Sequence, residues 1–209
     1  MATRRRADAE NDNAANGRTR WKVFTLVFVV GFSGVALMLT GLSKGAVAAS
    51  FAVSGTSYKA SADKLTAEGV VQFGSVDRSA EEAHPVLVNG FKHAKLTNFC
   101  QSIRVPDLPG IGDATVRIEA ADGMTAENLV LGVEQVQGDL TLNNVEIGRD
   151  AAKLDAGPEG VQGTSGGFGI QASGATIDDL KQEAWSTTAS TLNLNDVNIS
   201  TTAGNDPCY

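Results

Sequence analysis

The chain has 209 residues, a formal net charge of −7 and just two cysteines and two histidines. An acidic balance of this size argues against nucleic acid and anionic lipid headgroups as partners, since both would be repelled. It also leaves no Cys/His-rich metal site and no phosphate-cradling loop, and no cofactor is expected.

Residues 1–22 form a basic tail with a net charge of +3. From Val23 to Leu42 no charge occurs, and the run is closed off by Lys22 and Lys44. As a helix this segment measures roughly 30 Å, the thickness of a bilayer's hydrocarbon core. Residues 23–43 are therefore predicted to be a transmembrane helix or a signal-peptide core, with Trp21 as an interfacial anchor. The basic tail stays in the cytoplasm under the positive-inside rule, and the acidic remainder, net −11 over residues 45–209, is exported. Within the linker 44–50, Ala46-Val47-Ala48 is a small-x-small cleavage signature. Two fates stay open at this point: a retained single-pass anchor, or cleavage near Ala48 and secretion.

Residues 51–209 are predicted to form one all-β extracytoplasmic domain. Short apolar alternations recur between Gly, Asn and Asp at Phe51–Val53, Val70–Phe73, Val86–Val88, Ala114–Ile118 and Leu129–Leu131. A weak helical pattern lies at Asp179–Trp185.

A hexad, apolar-x-apolar-x-(Asn/Asp)-apolar, begins at Ala94, Met124, Leu140, Ala175 and Leu192. Its last two residues break the strand period, and a slip of one residue would turn the following side chains to the wrong face. An Asn or Asp in the left-handed conformation corrects this with a bulge or corner. Leu140, Leu142, Val145 and Ile147 are thus expected to face one interior, as are the matching residues from Leu192 to Ile199. Two architectures accommodate this, a β-sandwich or a β-arch/solenoid-like fold.

Gly148–Gly174 holds eight glycines and reads as a surface loop. Inside it Gly163-Thr164-Ser165-Gly166-Gly167 satisfies G-x-S-x-G, the nucleophile elbow of α/β hydrolases. That elbow needs a buried strand before it and a helix after it, and neither is present. His93 is the histidine that another fold could bring to Ser165. His84, beside Glu81 and Glu82 in an acidic turn, is expected to be exposed; this trio lacks the spacing of a metal ligand set, so no metal is expected. Trp185 is expected as a core plug, with a ligand or partner contact as the other reading.

Cys100 and Cys208 form a minimal even pair, which in an exported protein reads as one disulfide. Two separate thiols or a metal pair are the alternatives.

The segments Ala48–Gly55, Leu96–Ser102 and Gln182–Ala189, with Cys208 before the closing Tyr209, resemble a family of uncharacterised, exported actinobacterial proteins carried as a domain of unknown function. The likeness runs from the apolar segment to the C-terminus. It implies export, the disulfide and a membrane setting, with a small multi-pass membrane protein as companion. Some members of that family are labelled cholesterol esterases, but the resemblance brings no catalytic residues with it.

Two functions follow as expectations. One is a non-enzymatic cell-envelope module that binds a lipid-like ligand or docks a membrane partner. The other is a lipid-ester hydrolase using Ser165.

Overall fold

The computed structural model describes Trp21 and residues 55–79 and 82–209. Contacts divide the chain into two units, Met1–Lys44 and Gly45–Tyr209. The predicted membrane or signal segment, the cleavage region and the strand at 51–53 lie outside the described residues, as does Glu81. Trp21 is helical and exposed. Among the described residues no helix is long and apolar enough to cross a membrane.

The second unit is all β. Its strands are β1 (Tyr58–Arg78), β2 (Ala83–Thr97), β3 (Phe99–Leu108), β4 (Gly112–Ala120), β5 (Met124–Asn143), β6 (Glu146–Asp150), β7 (Phe168–Thr188), β8 (Thr191–Leu194) and β9 (Val197–Ala203). All pair antiparallel in one sheet of order β6-β7-β5-β2-β1-β3-β4-β9, with β8 on β5. A further pairing of β7 with β1, from Tyr58↔Ala184 to Ala62↔Leu180, closes β1, β2, β5 and β7 into a ring. A single hydrogen-bonded network thus takes the place of two stacked sheets.

The ring encloses the main core. Leu65, Phe91, Leu129, Val133 and Leu180 point inward from its four strands, and nine of the twenty buried residues in this cluster are alanines. A ring of so few strands has a narrow bore, so side chains alone fill it and many must be small. Leu65, Leu129 and Leu180 are almost fully buried, each stabilising the fold by about 1.5–3 kcal/mol.

The hexads mark the corners. Six non-glycine residues have positive φ, and five of them are the fifth hexad residue: Asn98, Asn128, Asn144, Asp179 and Asp196, with φ between 47° and 54°. Their side chains fasten the bend: Asn98 Nδ2 donates to Asp63 at 3.2 Å, Asn128 Nδ2 to Ser190 Oγ at 3.0 Å and Asn144 Nδ2 to Ser173 Oγ at 2.9 Å. In three copies the inward aim resumes as expected. Ala94 and Leu96 are followed in the core by Phe99, Met124 and Ala126 by Leu129, and Ala175 and Ile177 by Leu180.

The two best-matched copies depart from the expectation. Val145 is 41% exposed and Val197 49%, so neither is a core residue. Their corners lead into β6 and β9, the two outermost strands of the sheet, each paired along one edge only among the described residues. The weak helical pattern at Asp179–Trp185 is also overturned, because those residues are the middle of β7. Ladder bonds to both β1 and β5 outweigh local helical preference there.

Gly148–Gly174 is not a free loop. Its ends belong to β6 and β7, and a 3-10 turn at Ala151–Lys153 is capped by Asp150, whose carboxylate accepts from Ala152 N at 3.0 Å. Ala151 and Leu154 pack on Val71 and Phe73, on the outer face of β1, in a second small core. A Cβ on Gly157 would sit 2.4 Å from Val71 Cγ2, so glycine is what allows the cover to lie this close.

Candidate functional site

The hexad at Leu140 builds an open apolar feature of the domain. Leu140 pairs with Ile177 and Leu142 with Ala175, and directly opposed residues project to one face. Behind them Leu65, Phe91 and Leu131 line a cleft of about 60 Å³. Three polar side chains close its inner end: Gln72 donates through Nε2 to Asn89 Oδ1 at 2.6 Å, and Gln182 is buried beside them. The mouth is apolar and open to water. Val136 and Leu140 line it, and Leu140 is 55% exposed. Ile170, also in the lining, pairs directly with Ile147, which is 66% exposed. Phe168, two residues before Ile170 on the same face of β7, is 64% exposed.

A second cluster sits where two bulges meet. Between the pairs Gly132↔Ser186 and Val133↔Ala184, Trp185 is an extra residue; between Val133↔Ala184 and Gln135↔Glu183, Glu134 is one. Each bulge turns its extra residue outward, and Trp185 Nε1 donates to Glu134 Oε2 at 3.0 Å. Trp185 is therefore not a core plug. Its ring stacks on His84, which is half-buried rather than exposed, with an Nε2 that is covered and has no hydrogen-bond partner. His84 faces Asp77 across the β1–β2 ladder. Asp77 Oδ2 in turn accepts from Ser186 Oγ at 2.6 Å. Beside them Tyr58 hydrogen-bonds the Thr187 hydroxyl and donates to the Ser186 carbonyl at 3.3 Å. Burial pushes the Tyr58 phenol up to about 12. No imidazole hydrogen-bonds Ser186 in this group; its hydroxyl is held by the Asp77 carboxylate.

The structure keeps Ser165 and His93 apart. Ser165 is exposed in a turn closed by Gly167 N to Thr164 O at 3.0 Å, and Asp150 accepts from Gly166 N at 3.0 Å. His93 instead meets Glu127 across the ladder, Nδ1 to Oε2 at 2.5 Å. Among the described residues nothing hydrogen-bonds the Ser165 hydroxyl, and no cluster of three His, Cys, Asp or Glu could hold a metal ion. Cys100 and Cys208 are joined by a disulfide with Cα atoms 5.9 Å apart, 108 residues along the chain.

Sequence reasoning named the Leu140 hexad but aimed it inward, so the exposed rim went unseen. Phe168 and Val136 carry no pattern of their own. Glu134 was also missed, because a single-residue bulge leaves no trace in composition.

Residues 54–209 match the model of a family of unknown function, DUF6230. No curated protein and no solved structure matches the chain.

Proposed function

The chain belongs to this family of unknown function, and from that premise we propose that it is a non-enzymatic module of the cell envelope. In this reading the apolar segment 23–43 carries the domain across the membrane, anchoring it or being cleaved near Ala48. The bent, ring-closed sheet then presents an apolar docking face to a membrane-associated partner. The disulfide suits an oxidising exterior.

The observation that carries the proposal is the exposed rim of Val136, Leu140, Ile147 and Phe168 around a cleft of about 60 Å³. Clustered exposed apolar side chains mark interaction sites in stable domains. A pocket that engulfs a whole lipid or drug-sized molecule has roughly 300–1,000 Å³, so this cleft takes one apolar side chain or the tip of an acyl chain. The rim, more than the cleft, supplies the contact area, and that favours a protein surface.

Site-specific photocrosslinking in the native host tests this, with the probe at Phe168 and a control probe at Thr202 on β9. A membrane protein joined from 168 but not from 202, and lost on Leu140→Asp, supports the proposal. A lipid adduct from 168 would replace the protein partner with a lipid ligand, and the absence of any adduct specific to 168 would refute both. Turnover of esters by the purified chain, abolished by Ser165→Ala, would overturn the non-enzymatic reading.

A further inference from the structure

A second cleft, of about 350 Å³, opens between the start of β1, strands β3 and β4, and the C-terminal segment. We propose that it binds a small oxyanion-bearing molecule, a carboxylate or phosphate, through Lys59, Arg104 and the hydroxyl of Ser102.

Unlike the apolar cleft, this one is within the size range of small-molecule sites. Its lining is rich in donors that the protein itself leaves unused. Ser102 is only 3% exposed. Its Oγ accepts from Cys208 N at 3.1 Å, while its own hydrogen finds no acceptor among the described residues. A buried hydroxyl hydrogen without an acceptor carries a desolvation cost, and an acceptor in the cleft removes it. Arg104 binds Asp113 through Nε and Nη2, and its Nη1 has no partner among the described residues. The Lys59 ammonium lies 4.9 Å from the Tyr209 ring centroid and has no carboxylate partner among the described residues.

Two acceptors in the lining take hydrogen bonds from the protein itself. Glu183, the one carboxylate there, accepts from Ser57 Oγ at 2.7 Å. Thr115 donates to the Gly204 carbonyl at 2.7 Å and accepts from Asp206 N at 3.0 Å. The cleft therefore offers the Lys59 ammonium, the Nη1 side of an Arg104 already paired with Asp113, and a buried hydroxyl hydrogen, against the Glu183 carboxylate opposite Lys59, in a domain whose net charge over residues 45–209 is −11. Charge-assisted bonds from such donors are the strong ones. The wall that carries Asn205 and Pro207 is locked two ways, by the disulfide at Cys208 and by Arg117 bonded to Asp206 at 3.3 Å. A wall fixed in advance spares the ordering cost that binding would otherwise incur.

The test is a titration of the full, disulfide-intact chain in zwitterionic micelles with inorganic phosphate and, separately, with acetate, followed by amide NMR shifts. Saturable shifts centred on Lys59, Ser102, Arg104 and Asn205 are expected with at least one of the two anions. Lys59→Met and Arg104→Met should each weaken affinity about tenfold, as expected for one lost charged hydrogen bond, and Ser102→Ala should weaken it less. Lys92→Met, on a distant part of β2, should leave it unchanged. Shifts that never saturate, or wild-type affinity in both Lys59→Met and Arg104→Met, would overturn the site. Binding to phosphatidylglycerol vesicles without response to either free anion would overturn a dissolved ligand.

Discussion

Trp185 lies face to face with His84, ring centroids 3.6 Å apart and planes 11° from parallel. The contact exists because Trp185 is an extra residue in the β5–β7 ladder, which turns it away from the ring interior. Such pairs contribute about 0.5–1.5 kcal/mol beyond the area they bury. Trp185→Ala should destabilise by about 1–3 kcal/mol, and a double-mutant cycle with His84→Ala should give a coupling of about 0.5–1.5 kcal/mol in urea unfolding. Strict additivity would show that the two rings do not support each other.

The left-handed corners make a separate prediction. At Asn128, with φ 49°, glycine adopts the required backbone freely whereas valine does not. Asn128→Gly should change stability little, losing mainly the bond to Ser190, while Asn128→Val should cost about 1–3 kcal/mol. The same order is expected at Asn98 and Asn144. Equal stability of the Gly and Val variants would mean that the corner conformation is not maintained in solution.

Tyr58 makes the fold sensitive to alkali. Its phenol is raised from 10.0 to about 12, first by burial, against the lowering effect of the Thr187 hydrogen bond. A raised folded value means the native state holds the proton more tightly than the unfolded chain. The stabilisation is complete below pH 10 and disappears as pH climbs to about 12. The linkage amounts to about 2–3 kcal/mol at most. Absorbance of phenolate should show a late-titrating group that Tyr58→Phe removes, and the variant should lose less stability over this pH window.

The disulfide closes a long loop across 108 residues, for which chain entropy allows a stabilisation on the order of 4–5 kcal/mol. Cys208→Ser should lower the Tm measurably, and dithiothreitol should do the same to the wild type but not to the variant. The loss should start at the C-terminal segment, whose other ties include hydrogen bonds to Thr115, Ser102 and the Asp113 carbonyl, the ion pair with Arg117 and the Lys59–Tyr209 contact. Hydrogen exchange there should rise before it does in β5.

Much of the fold was legible because the hexads encode two things at once. Alternation in Met124-Thr125-Ala126 names a strand, and Asn128 names the place where its pleat is corrected. Both appear in the structure. What the sequence could not encode is which corners fall inside the ring and which lead to the outermost strands. Leu129 and Val145 occupy the same hexad position, yet Leu129 is sealed inside the ring and Val145 opens onto water. That difference depends on the order of strands in the sheet, a property of the whole chain. The bulged Glu134 and Trp185 escaped for a similar reason, since a ladder slip is set by both strands. The oxyanion cleft draws on residues from 56 to 207, and no local pattern joins them.

The outward aim of the edge hexads is where sequence and structure part most sharply, so a charge scan decides between them. If Val145 and Val197 faced a core, an Asp at either would be an unpaired buried charge and would unfold the domain. With 41% and 49% of their surfaces exposed, the carboxylate stays hydrated, and each substitution should cost no more than about 1 kcal/mol. Val133, 1% exposed within the ring, is the internal control: Val133→Asp should leave no folded protein. Leu140→Asp should fold as well, yet lose the proposed partner, since Leu140 stands on the rim with 55% of its surface in water. Thermal melts and NMR dispersion of the four variants read this directly. A collapse of Val145→Asp to the behaviour of Val133→Asp would show that β6 is covered in solution and that the rim next to it is not a free surface.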